Sequence, residues 1–161
     1  PWIATLDTFA IGGGCQYLLV MDHIMAEKGS YMTLPARKEG IIPGMANLRL
    51  WRFTGDRIAR QAIQNGLTIN SDSEEGKLIC DEIVEKGNMD KKLLETIDAY
   101  TNSGVVGSAS NRRAFRIGQE PLDTFRKYMS AYCHDQAYCH FSDALIKNLE
   151  HYWNAASRPV K

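Results

Sequence analysis

The chain has 161 residues, with 19 Lys and Arg against 19 Asp and Glu, so its formal net charge is zero. Hydrophobic residues make up 44% and charged residues 24%, the balance of a globular domain of roughly 100–200 residues. A neutral chain has no global electrostatic footprint for nucleic acid or an anionic membrane surface, and no apolar run approaches the roughly 18 residues of a membrane span.

Residues 1–8 lack the basic region of a secretory signal, and a start at Pro1 reads as a processed chain or a piece of something longer. Cys15, Cys80, Cys133 and Cys139 are irregularly spaced with no C-x-x-C pair, as expected of reduced thiols in a cytoplasmic protein.

In chain order, residues 2–10 are short and apolar-rich and predict a buried strand. Gly12-Gly13-Gly14 follows, and residues 15–21 are apolar enough for a buried helix. Residues 22–27 and 30–34 read as two short strands joined by Lys28-Gly29. Gly40-Ile41-Ile42-Pro43-Gly44 is a turn-rich connection into helices over 45–53 and 56–64, split by Thr54-Gly55 and closed by Asn65-Gly66. Ser71-Asp72-Ser73-Glu74 matches a capping box, so a helix is predicted from there to residue 80. Further helices are predicted over 89–100 and 106–117, and from Pro121 to residue 155 without another breaker. Strands thus crowd into the first 45 residues. Two or three short strands need partners to be stable, which points to a preceding N-terminal portion that supplies the rest of the sheet.

Three consecutive glycines cost backbone entropy and demand a reason. One reading is close approach of a ligand to bare amides at a helix start, which suit an anion or a developing oxyanion. The other is a tight turn where helix and strand pack closely. Neither a phosphate loop nor a dinucleotide fingerprint is present, because the G-x-x-x-x-G-K-[ST] and G-x-G-x-x-G spacings are absent.

Wider context separates these readings. Ile11-Gly12-Gly13-Gly14-Cys15-Gln16, Asp22, Leu34-Pro35, Gly40-Ile41-Ile42-Pro43-Gly44, Arg49-Leu50, Asn65-Gly66-Leu67 and Asp81-Glu82-Ile83-Val84, in that order, resemble the crotonase (enoyl-CoA hydratase/isomerase) superfamily. The resemblance implies an α/β spiral fold, of which residues 1–85 are the C-terminal part of the core. Residues 86–161 would be a helical region that covers the site and mediates oligomer contacts. It also implies an acyl-CoA substrate, an N-terminal half of the same enzyme, and a homo-oligomer, a trimer or dimer of trimers. Gly13 would donate one of two oxyanion-hole amides to the thioester carbonyl, the other donor lying outside this chain. Ile11, Gly12, Gly14, Leu34, Pro35, Ile41, Ile42 and Pro43 would line the substrate.

The hydratases of that family carry two catalytic glutamates, and the matching positions here are Gln16 and Ala36. An amide does not titrate and a methyl group exchanges no proton, so neither is a general acid or base. Glu39 lies three residues late and reads as a structural or surface residue. Lys38-Glu39-Gly40-Ile41-Ile42-Pro43-Gly44, Ala46-Asn47-Leu48-Arg49-Leu50 and the short link between them resemble the superfamily's cofactor-independent oxygenase branch. That branch acts on 3,5-dihydroxyphenylacetyl-CoA. The resemblance implies a thioester enolate that reduces dioxygen directly, with no metal or flavin, in a dry pocket walled by Ile41 and Ile42. Gln16 would hydrogen-bond substrate or a peroxide intermediate, or else be a buried amide satisfied by backbone. Antibiotic biosynthesis is the setting this branch suggests. The alternatives are a hydratase, isomerase or thioesterase using a base from elsewhere, or a non-catalytic acyl-CoA-binding member.

Cys133, His134, Cys139, His140 and His151 do not have zinc spacing and read as partly buried helix residues. His23 reads as a satisfied core histidine. Asn111-Arg112-Arg113 with Arg116 would either touch the phosphates of coenzyme A or form an exposed helix face. Tyr128, Tyr132, Tyr138, Phe141 and Tyr152 read as packing residues.

Overall fold

The computed structural model describes residues 1–102 and 105–156. The predicted first strand is two, β1 (Ile3–Leu6) and β2 (Phe9–Ile11), which bend apart at Asp7-Thr8. Helix α1 (Gly13–Leu18) follows directly, then β3 (His23–Glu27) and β4 (Tyr31–Thr33). β3 and β4 do not pair with each other. β1 and β3 pair in parallel, Ile3 opposite His23 and Leu6 opposite Ala26, while β2 pairs in parallel with β4, Phe9 opposite Tyr31. Each strand pair therefore feeds one strand into each of two sheets, and successive pairs stack as turns of a spiral. Gly29, at φ 83°, turns the chain from one sheet to the other, a conformation that costs glycine least.

The first sheet is completed by β6 (Glu82–Val84), parallel to β3, and the second by β5 (Ile69–Asn70), antiparallel to β4. β3 is thus central, and Ile24, Met25 and Ala26 are all buried, as a strand covered on both faces requires. The main core gathers Leu6, Cys15, Leu18, Leu19, Met32, Leu34, Leu50, Ala59 and Ile79 around it.

Three short helical elements lie between the sheets' strands: α2 (Ala36–Glu39), α3 (Gly44–Arg49) and α4 (Trp51–Asn65). The expected break at Thr54-Gly55 is a kink inside α4, where Gly55 stands at φ 73°. The capping-box helix over 71–80 does not form. Ser73, not Ser71, accepts an amide hydrogen, from Gly76 at 3.1 Å, and only a 3-10 turn at Gly76–Leu78 follows. Ser71 is fully buried and spends its hydroxyl on the Glu27 carbonyl at 3.0 Å, tying the loop to β3. A tertiary partner has outcompeted the local cap.

The helical region comprises α5 (Met89–Thr101), α6 (Val105–Gln119), α7 (Leu122–Cys139) and α8 (Asp143–Ala156). The single run expected from Pro121 to 155 is two helices. Ser142 breaks it, its hydroxyl accepting the Leu145 amide at 3.3 Å in the manner of a helix cap. Two half-buried arginines, Arg49 and Arg52, converge on Glu120 at 2.6 and 2.9 Å and tether the end of α6 to α3 and α4. Hydrogen bonding from Arg49, outweighing the opposing effect of burial, holds the Glu120 carboxyl below the usual glutamate range.

The ion-pair cluster therefore stabilises the fold fully above the unfolded glutamate's pKa, near 4.3, and the contribution drains away as pH falls through the lowered folded value. Glu120→Gln is expected to lower the urea midpoint at neutral pH and to flatten its fall between about pH 5 and 3. At Gly76 a Cβ would stand 2.0 Å from the Asn70 carbonyl oxygen and 2.5 Å from that of Ser71. Gly76→Ala is accordingly expected to cost at least about 2 kcal/mol in urea unfolding, and an unchanged midpoint would contradict this packing.

Candidate functional site

The glycine turn is not explained by packing. A Cβ on Gly12 or Gly13 would meet nothing within 4 Å, and on Gly14 only the Ala10 Cβ at 3.8 Å. Gly12 needs glycine for its backbone, at φ 55° and ψ −111°, while its amide donates to the Thr33 carbonyl at 3.0 Å and its carbonyl accepts from Gln16 at 3.1 Å. Gly13 and Gly14 are exposed in the first turn of α1, where the helical pattern supplies no acceptor for their amides. Ile11 ends β2 beside them, 42% exposed. Ile11, Gly12, Gly13 and Gly14 thus form one accessible backbone edge.

Gln16 lies one turn along α1 from Gly13 and so shares its face. Its Oε1 accepts the Met45 amide at 2.7 Å, which leaves the carboxamide hydrogens as its donor end. The structural role expected for a buried amide is therefore real for the oxygen and open for the nitrogen. Gly44 is buried at the start of α3, and a Cβ there would stand 3.2 Å from both Gln16 Oε1 and the Tyr132 hydroxyl. Helix α7 covers this turn. Tyr128 donates to the Gly44 carbonyl, and Gln136 Oε1 accepts the Ile42 amide at 2.9 Å. Burial pushes the Tyr128 phenol above its usual pKa, against the lowering influence of a hydrogen bond with Asn47.

Of the residues expected to line substrate, Ile41 and Ile42 are half-buried, Ile42 bonded to α7 through its amide, and Pro35 is half-buried at the head of α2. Pro43 is buried, and Leu34, only 1% exposed, packs into the core. Ala36 is buried too, so the second glutamate position of the hydratases is an apolar contact here. Tyr128 and Tyr132, read from sequence as packing residues, bring their hydroxyls to the Gly44 turn, and Gln136 was missed. The spacing 128, 132, 136 is the signal that could have found them, since residues four apart share a helix face.

Other candidates fall elsewhere. Arg112 bonds Asp22 at 2.6 Å and the Val20 carbonyl at 3.0 Å, and its guanidinium lies 4.3 Å over the Trp2 ring. Arg116 donates to the same carbonyl at 3.1 Å. Both line a cavity of about 670 Å³ with Arg49, Arg52, Asp22 and Glu120, which touches neither Gly13 nor Gln16. Burial pushes the Cys15 and Cys80 thiols up to about 12, so both stay protonated and are not nucleophiles. His134 bonds the adjacent Asp135, and no three metal-binding side chains cluster among the described residues. The expectation for His23 holds at one nitrogen only. Nδ1 lies 3.3 Å from the Tyr100 hydroxyl, while Nε2 is buried with no hydrogen-bond partner.

Against known proteins, residues 1–128 match the family model described as enoyl-CoA hydratase/isomerase. The chain is 45% identical over 137 residues to a (3,5-dihydroxyphenyl)acetyl-CoA 1,2-dioxygenase of Amycolatopsis orientalis, a match that takes in 85% of this chain and 31% of that protein. It spans, then, about a third of that curated relative's length. An enoyl-CoA hydratase from Mycobacterium avium subsp. paratuberculosis K-10 shares its fold at a TM-score of 0.84 and 14% identity, over 99% of this chain and 64% of that one. OdaA of Pseudomonas aeruginosa does so at 0.82 and 15% identity, over 93% and 61%. With the spiral of paired strands, the glycine turn at the head of α1 and a family match over residues 1–128, the chain belongs to the enoyl-CoA hydratase/isomerase, or crotonase, family.

Proposed function

We propose that this chain forms the thioester-holding part of a cofactor-free dioxygenase acting on (3,5-dihydroxyphenyl)acetyl-CoA or a similar arylacetyl-CoA. The observation that carries the reading is the Gly12–Gly14 edge, whose two accessible glycines have no packing reason within the chain. Glycine there lets a carbonyl oxygen approach the Gly13 amide without meeting a side chain. An amide held at that point stabilises charge that develops on the oxygen as the thioester becomes an enolate. In this reading the second amide and the rest of the sheet come from an N-terminal half of the same enzyme. The 31% coverage of the dioxygenase relative supports that part.

Two further features favour oxygenation over hydration. The family's two acid–base positions hold Gln16, whose oxygen is engaged by Met45, and Ala36, a buried methyl. Neither delivers or removes a proton, so addition of water across a double bond loses its catalysts. The dioxygenase reaction needs one proton removal, from the α-carbon, which in this reading passes to a base outside this chain, and thereafter only the enolate and dioxygen. One oxygen atom bonds to the α-carbon, the other to the acyl carbon in place of sulfur, and the thiol departs with a proton. Arylacetyl-CoA and dioxygen thus give the arylglyoxylic acid and free coenzyme A, with atoms and electrons balanced. In this reading Ile41 and Ile42, half-buried on the turn that leads to Met45, supply apolar wall. Assembly as a homo-oligomer is part of the reading, supported by Phe115, Ile117, Tyr138, Phe141 and Trp153, each at least 66% exposed on the helical region.

The test is oxygen uptake by the enzyme assembled with its N-terminal half, given (3,5-dihydroxyphenyl)acetyl-CoA after metals are chelated. Uptake equal to released coenzyme A is expected. Hydration or isomerisation of an enoyl thioester without uptake would replace this reading with the hydratase one, and tight binding with no turnover would favour a non-catalytic member. Gly13→Pro deletes the amide at a position where a helix accepts proline, and is expected to lower kcat by roughly 100- to 1,000-fold.

A further inference from the structure

The turn at residues 42–45 turns its backbone polar groups toward side chains of two helices. Gln136 on α7 accepts the Ile42 amide at 2.9 Å, and Tyr128 on the same helix donates to the Gly44 carbonyl. Gln16 on α1 accepts the Met45 amide at 2.7 Å. Between the two α7 anchors lies Tyr132, its ring stacked on Tyr128 with 6.2 Å between centroids and 2° between planes. Its hydroxyl and Gln16 Oε1 crowd the same face of Gly44, each 3.2 Å from where a Cβ would stand. A Cβ at 44 would make one of them give by a few tenths of an ångström.

A glutamine loses several rotamers when one is selected, a cost comparable to the net worth of a single neutral hydrogen bond. The bond from Met45 can therefore hold Gln16 only if the Met45 amide is itself fixed. The backbone leading into it is fixed by α7, which holds the Ile42 amide through Gln136 and, through Tyr128, the Gly44 carbonyl of the same peptide unit. Helix α8 braces the approach to the turn, for Asn148 donates to the Lys38 carbonyl at 2.9 Å and Leu145 backbone packs against Gly40.

We infer that Tyr128 and Gln136 are positioning residues for Gln16: α7 locks the 42–45 turn, and the locked turn orients the Gln16 carboxamide with its hydrogens as the donor end. The inference rests on the reading above for any catalytic consequence, but the placement itself is testable without turnover. Met45 amide exchange and the Gln16 side-chain NH₂ signals report it by NMR. Tyr128→Phe, which keeps the ring stack, and Gln136→Leu are each expected to speed Met45 exchange about tenfold relative to the β3 amides. Gln136→Glu keeps the acceptor and is expected to restore protection. Ser130→Ala, at an exposed side chain on the same helix, is expected to change nothing. Unchanged Met45 exchange in both Tyr128→Phe and Gln136→Leu overturns the inference. Faster exchange with a lower kcat at constant KM for the thioester supports both the clamp and the proposed role of Gln16. Faster exchange with unaltered oxygen uptake supports the clamp and removes Gln16 from the chemistry.

Discussion

The bond from the Met45 amide to Gln16 Oε1, at 2.7 Å, joins the first helix of the spiral to the start of α3, and the arrangement around it packs tightly on Gly44. Three elements distant in sequence meet at that residue: α1 through Gln16, α3 through its own first residue, and α7 through Tyr128 and Tyr132. The glycine turn lies on the same short helix as Gln16, whose carboxamide oxygen bonds the turn that Tyr128 and Gln136 of α7 also bond. The helical region is thus mechanically part of the site although the glycine edge is built wholly by the spiral core.

Two kinds of glycine serve the site for different reasons. Gly12 is needed for its left-handed backbone, and Gly44 for room. Gly13 and Gly14 are needed for neither within this chain, which directs attention to what approaches them from outside it. The contrast with Gly76, where a Cβ would collide with two backbone carbonyls, shows how differently a packing glycine looks.

Three of the cysteines and histidines that attract a metal or nucleophile reading have ordinary physical accounts. Cys15 and Cys80 are buried and protonated, and His134 is spent on its neighbour. Arg112 and Arg116 of α6 are engaged in tethering it, to Asp22 and the Val20 carbonyl, while Glu120 just beyond α6 is gripped by Arg49 and Arg52. These pairs are only partly buried, so they align α6 and add modestly to stability.

Much was legible in the residues alone. The Gly12–Gly14 turn, the proline turn and their order along the chain carried the family, because backbone conformations open only to glycine leave an unambiguous trace in sequence. Apolar periodicity located α5, α6 and the last helical stretch, since a helix face repeats locally. What failed did so where a distant partner decided. The capping box at Ser71 lost to the Glu27 carbonyl, the division of β3 and β4 between two sheets left no mark in the residues, and the two-residue β5 exists only because β4 is there to pair with it. The convergence of Tyr128, Tyr132 and Gln136 on Gly44 had no local signature beyond their four-residue spacing. Sequence determined which backbone shapes and helix faces were available; tertiary structure alone decided which polar groups, more than 80 residues apart, would satisfy one another, because a hydrogen bond has no preference for neighbours in the chain.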